Sequence, residues 1–136
     1  MNLNVCLTIL LVAASYLGLH AQTMKLTANI PFPFHAGKVV MPAGEYTVHH
    51  ERGILTVRKV DGRSSGAMFL TRRETFPKPT TNPVLIFNRY GNTFFLSSVR
   101  SPSSEDGVTI PSRTEIEYAK AATQPVETAR VPLRTH

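Results

Sequence analysis

The sequence predicts an all-β domain, a small antiparallel meander of about six to seven strands closing as a barrel or a sandwich, with one short C-terminal helix. Three observations predict it. Hydrophobicity alternates with period two along several short runs. Those runs are separated by Gly- and Pro-containing turn sequences. Ten prolines, eight glycines and no tryptophan suit a domain with many turns, while 42% hydrophobic against 18% charged residues is globular rather than disordered composition.

The chain opens on an apolar run, Val5 to Val12, of the length a secretory h-region needs and shorter than the roughly 20 residues of a membrane span. Leu19-His20-Ala21 places an alanine at a cleavage position before polar Gln22-Thr23. Residues 1–21 are therefore read as a signal peptide, 22–122 as a single β domain and 123–136 as a mobile C-terminal tail. The n-region holds no Lys or Arg and Leu19 is bulky, which leaves an uncleaved N-terminal anchor as the alternative. Cys6, the only cysteine, sits within the apolar run, too early and wrongly flanked for a lipoprotein. The mature domain thus has no thiol, which excludes disulfides, cysteine-ligated metals and a cysteine nucleophile.

Residues 25–34 alternate closely: Leu26, Ala28, Ile30, Phe32 and Phe34 point one way, Lys25, Thr27, Asn29, Pro31 and Pro33 the other. Pro31 and Pro33 delete donors along one edge, so the second half is an edge strand or a stretch leaving the sheet. Met41-Pro42-Ala43-Gly44 is a turn. Tyr46, Val48 and His50 then alternate with Glu45, Thr47 and His49, and Arg52-Gly53 turns the chain into Ile54–Arg58. Asp61-Gly62 is a hairpin dipeptide leading into 65–71, where Ala67, Phe69 and Thr71 oppose Met68 and Leu70.

Residues 74–83, with Pro77, Pro79 and Pro83, read as a loop. Val84–Arg89 and Thr93–Val99 flank the Tyr90-Gly91-Asn92 turn and are apolar on both faces, the pattern of a buried sheet centre. Residues 101–107 read as a polar loop. Ser112-Arg113-Thr114-Glu115 fits a capping box, Ser meeting the N3 amide while Glu reaches back. A short surface helix from Arg113 to Ala122 follows, stopped before Pro125.

The net charge of +6 lies wholly after position 21 but is scattered, with no Lys/Arg-rich run. It biases the protein mildly towards envelope or matrix polyanions, though scattered charge of this kind more often simply solvates a surface. His49-His50-Glu51, with His35, is the one cluster having metal-ligand chemistry, yet neighbours on a strand point to opposite faces, so His49 and His50 cannot easily share an ion. His49 with Glu51 is the i, i+2 pair that could. No Gly-x-Ser-x-Gly elbow, phosphate loop or dinucleotide glycine pattern occurs. Arg89-Tyr90-Gly91-Asn92-Thr93-Phe94-Phe95-Leu96 does not match the aromatic strand of RNA-binding sheets, and reads as a turn followed by core phenylalanines. Phe32, Phe34, Tyr46, Phe69, Phe87, Phe94 and Phe95 either fill the interior or line a pocket for an apolar ligand.

Asn29-Ile30-Pro31-Phe32-Pro33-Phe34, Ala36-Gly37 and Pro42-Ala43-Gly44-Glu45-Tyr46-Thr47-Val48, followed by Phe87-Asn88-Arg89-Tyr90-Gly91-Asn92, Phe94-Phe95-Leu96 and Pro111-Ser112-Arg113-Thr114-Glu115, resemble in order a family of small exported proteins common in Acidobacteria. The chain departs from that pattern at Met41, where Leu is expected, and at Thr114, where Ala is usual. The resemblance implies export and a single domain, and assigns no catalytic residue, ligand or partner.

The expectation is an exported, periplasmic or secreted, non-enzymatic binding or structural module without metal or cofactor. Its expected partner is another envelope protein or an anionic polymer, not nucleic acid, with no stable membrane insertion after cleavage. The alternatives are a small-barrel carrier of an apolar ligand, which a Phe-lined cavity would favour, and a hydrolase whose site is assembled in space around His49 or His50.

Overall fold

The computed structural model describes residues 26–61, 66–78, 80–100 and 106–135. The apolar N-terminal segment, Gly62 of the Asp61-Gly62 turn and residues 101–105 of the polar loop lie outside the described residues.

β1 (Leu26–Ile30) buries Ala28 and Ile30 and exposes Asn29, as the alternation requires, whereas Thr27, expected on the outward face, is also buried where β12 pairs beside it. At Pro31 the chain leaves this first sheet. β2 (Phe34–Ala36) and β3 (Val39–Met41) form a short hairpin in the second sheet. The two prolines therefore mark a crossing between sheets, because neither can supply a ladder donor. The chain returns at β4 (Gly44–Glu51), which pairs antiparallel with β1, and continues through β5 (Ile54–Lys59) to β6 (Gly66–Leu70). Arg52 and Gly53 join β4 to β5 with φ of 52° and 78°; two positive values in succession are those of a type I′ turn.

β7 (Arg72–Thr75), β8 (Val84–Tyr90), β9 (Thr93–Arg100), β10 (Asp106–Thr109) and β11 (Glu127–Pro132) complete the second sheet in the order β11-β8-β9-β10-β7. β2 adds to the first half of β9 in parallel, with His35 opposite Phe95. β12 (Arg134–Thr135) returns to the first sheet beside β1, whose order is β12-β1-β4-β5-β6. The protein is all-β with one short helix, α1 (Arg113–Ala121).

The two sheets enclose one hydrophobic core. Ala28, Ile30, Tyr46, Val48, Leu55 and Val57 from the first meet Phe34, Leu85, Phe87, Leu96 and Val131 from the second. Phe34 stands edge-on to Tyr46 at 5.3 Å and to Phe87 at 5.4 Å, and Phe32 edge-on to Phe87 at 5.0 Å. Each fully buried side chain, Phe34 and Phe87 among them, stabilises the fold by about 1.5–3 kcal/mol. The Tyr46 hydroxyl, carried inside with its ring, donates to the Pro42 carbonyl and so fastens the 41–44 turn. At Gly107 a side chain has no room: a Cβ would lie 2.6 Å from the Phe76 ring and 2.9 Å from the Val99 carbonyl.

Four expectations are corrected. Residues 74–83 are not wholly a loop, since β7 takes in Glu74 and Thr75; its four residues are exposed and carry no apolar alternation to reveal them. The loop assigned to 101–107 gives way to β10 at Asp106. The tail assigned to 123–136 includes β11, paired along its whole length with β8, and Val131 and Leu133 are buried. The domain thus extends to Thr135 rather than ending at 122. Only half of the capping box forms: Ser112 Oγ accepts the Glu115 N–H at 3.2 Å, but the Glu115 carboxylate turns to the second sheet.

Candidate functional site

One of the two edge strands of the first sheet is β6, Gly66-Ala67-Met68-Phe69-Leu70. Its alternation fixes what each residue does. Ala67 is buried and Phe69 packs against the core, whereas Met68 and Leu70 are 68% and 79% exposed. Beyond the strand the Thr71 N–H donates to the Gly53 carbonyl at 2.9 Å, which sets the phase of the β5–β6 ladder. Hydrogen-bonded pairs recur at every second residue of an antiparallel pair. Ala67 and Phe69 therefore bond to β5, and the backbone groups of Gly66, Met68 and Leu70 point to the open side. No strand among the described residues pairs with that side.

The other sheet margins are blunted. β7 presents Arg72, Arg73 and Glu74. β11 carries Glu127, Arg130 and Pro132, β12 has two residues, and β3 has three. Charge, proline and shortness are the usual means of keeping an edge from pairing. β6 uses none of them. Beside it, Ile54 pairs with Leu70 and extends the exposed apolar surface, with Arg58 next to Gly66 and Arg72 just past Leu70.

A second constellation lies on the outer face of the second sheet, beneath α1. Glu115 Oε1 accepts the Asn88 amide at 2.6 Å and the Tyr90 hydroxyl at 3.1 Å. Burial first, and then the Glu115 charge and hydrogen bond, push the Tyr90 phenol above its ordinary range. Tyr90, Phe95 and Tyr118 form a ring cluster with centroids 5.4–5.8 Å apart. His35 stacks on Phe95 at 4.6 Å. Between the β8–β9 turn and the end of α1 lies an open cleft of about 480 Å³.

The histidines divide as the strand geometry requires. His49 approaches Glu51 at 3.9 Å on one face of β4, and His50 meets the Thr71 hydroxyl at 3.0 Å on the other. Partial burial, then His49 and Arg73, lower the His50 pKa. His35 belongs to the other sheet, and no group of three or more potential metal ligands occurs among the described residues. Neither the 480 Å³ cleft nor a second one of about 370 Å³ beside Arg130 is lined by a histidine or a phenylalanine. Arg89 through Leu96 form a hairpin turn and core residues: the Arg89 guanidinium lies over Phe94 at 5.5 Å, and Leu96 is buried.

The alternation of β6 is legible in the sequence, whereas its exposed edge is a property of the sheet order. Nor is the Glu115–Asn88–Tyr90 contact legible there, since it joins residues 25 and 27 positions apart and follows no local pattern. Compared with protein-family models, curated proteins and solved structures, the chain matches none.

Proposed function

We propose that this chain is an exported, non-enzymatic binding module that takes an extended segment of another envelope protein onto β6 by strand addition. One observation carries this: β6 is an uncharged, proline-free edge whose outward backbone groups and exposed Met68 and Leu70 are unpartnered among the described residues. Strand addition draws affinity from main-chain hydrogen bonds and specificity from alternate side chains. Arg58, opposite Gly66, and Arg72, just past Leu70, favour a segment with acidic residues flanking an apolar centre. Support for export comes from the Val5–Val12 run and Ala21. The aromatic residues pack on one another inside the core, which favours a surface binder over an interior carrier. The His49–Glu51 contact lies on a sheet face outside both clefts, which favours binding over hydrolysis.

The test is a photo-crosslinking residue placed at position 70 of the full chain in its host, with position 117 on α1 as the control. The expected result is one discrete adduct with an envelope protein at position 70, lost when Met68→Pro is added. Met68 has no N–H bond to β5, so proline there removes an outward donor and leaves the ladder intact. Equal adducts at both positions, or an adduct indifferent to Met68→Pro, would refute strand addition.

A further inference from the structure

We infer that the cleft between the β8–β9 turn and the end of α1 binds a neutral saccharide, at a site separate from the β6 edge. Its volume of about 480 Å³ falls within the range of small-molecule sites, and it is an open trough suited to part of a longer chain.

The lining specifies the chemistry. Tyr90 and Tyr118 supply aromatic surface, Asn92 and Gln124 supply amides, and Thr93 and Thr123 supply hydroxyls. Every side chain lining the cleft is uncharged. A charged ligand would lose hydration there without gaining a counter-charge. A purely apolar ligand would cover amides and hydroxyls and leave them unpaired. A polyol with one C–H face matches both halves of the lining, because its C–H groups stack on a ring while its hydroxyls exchange hydrogen bonds with amides.

The aromatic platform is fixed before any ligand arrives. Tyr118 is 41% exposed, its hydroxyl hydrogen-bonds with that of Thr93 at 3.1 Å, and its ring packs on Phe95 at 5.4 Å and Tyr90 at 5.8 Å. Tyr90 is held in turn by Glu115. The opposite wall is equally constrained: Gly91 has a φ of 63°, and a Cβ there would sit 3.3 Å from Gln124 Oε1. Little ordering remains to be done on binding, which favours even a small ligand.

The experiment is an amide-resolved NMR titration of the protein with cellotriose and, separately, chitotriose. The expected result is saturable shifts confined to residues 90–93 and 118–124 with at least one probe, at a Kd of about 1 mM or tighter. Tyr118→Ala should weaken binding about tenfold or more, while Tyr118→Phe, which keeps the ring, stays within about threefold of the parent. Asn92→Ala, an exposed turn position whose loss leaves the fold intact, should weaken it about threefold. No saturable shift from either probe up to about 10 mM would overturn the proposal. So would shifts centred elsewhere, or an affinity unchanged by Tyr118→Ala and Asn92→Ala.

Discussion

The Asn88 side-chain amide donates to Glu115 Oε1 at 2.6 Å, and this contact anchors α1 to the outer face of the second sheet. The helix has no buried residue of its own. A nine-residue helix on its own would not persist in water. Its position depends instead on Ser112 at the N-cap, on Glu115 reaching Asn88 and Tyr90, and on Tyr118 lying against Phe95.

Glu115→Ala should therefore destabilise the protein by about 1–3 kcal/mol, because it leaves the Tyr90 phenol without its acceptor and the half-buried Asn88 amide with Ser97 Oγ alone. Glu115→Gln, which keeps an acceptor oxygen, should recover more than half of that loss. Urea denaturation of the two variants checks the ranking. The Tyr90 phenol should also titrate closer to its ordinary value in Glu115→Gln, read from tyrosinate absorbance, since one of the causes raising it is the Glu115 charge.

Adjacent prolines in β6 should behave oppositely. Met68→Pro removes a donor that faces the open side and should cost less than about 1 kcal/mol. Phe69→Pro removes a donor to β5 and a ring packed on the core, and should cost about 3 kcal/mol or more. Thermal unfolding of the pair checks the phase of the ladder directly. Equal losses would mean that the assignment of inward and outward groups is wrong.

Deleting residues 127–136 should abolish the native fold. β11 covers one side of β8 along six residue pairs, and Val131 and Leu133 are buried. Without them, Leu85 and Phe87 lie beside an unpaired, apolar edge. Circular dichroism and amide dispersion of the truncated chain check this; a native spectrum would restore the C-terminus to the status of a dispensable tail.

That C-terminal strand shows where the sequence could be read and where it could not. Ala129, Val131 and Leu133 do alternate with Arg130 and Pro132, but three apolar residues beside a proline give a weak signal, and only the partner strand β8 makes them a strand. β7 carried still less, since Arg72–Thr75 is exposed throughout and its pairing depends on β10. Strong local physics was legible: the period-two run of β1, the Pro31 and Pro33 departure, the Arg52-Gly53 turn and the Ser112 cap. The candidate surfaces were only half legible. The alternation placed Met68 and Leu70 on one face, while sheet order alone left them at an edge; the Tyr118 cleft needs α1 and the β8–β9 turn brought together in space.

His50 should make stability fall as the pH drops below the ordinary imidazole value of about 6.5. Its pKa is lowered on folding by burial, His49 and Arg73, so the unfolded chain binds the proton more readily below about 6.5. The stability it contributes is present above that value and is lost as the pH falls through the folded pKa. His50→Asn should flatten this part of the profile of melting temperature against pH. An unchanged slope would show that His50 titrates alike in both states.

Whether the outer side of β6 is free can be read from residue-resolved amide hydrogen exchange on the isolated protein. The expected pattern is alternation: Ala67 and Phe69, bonded to β5, exchange slowly, while Met68 and Leu70 exchange at the rate of exposed turn amides such as Asn92. Uniform protection from Ala67 to Leu70 would contradict it, because the outer side of β6 would then already be occupied and no strand could be added there.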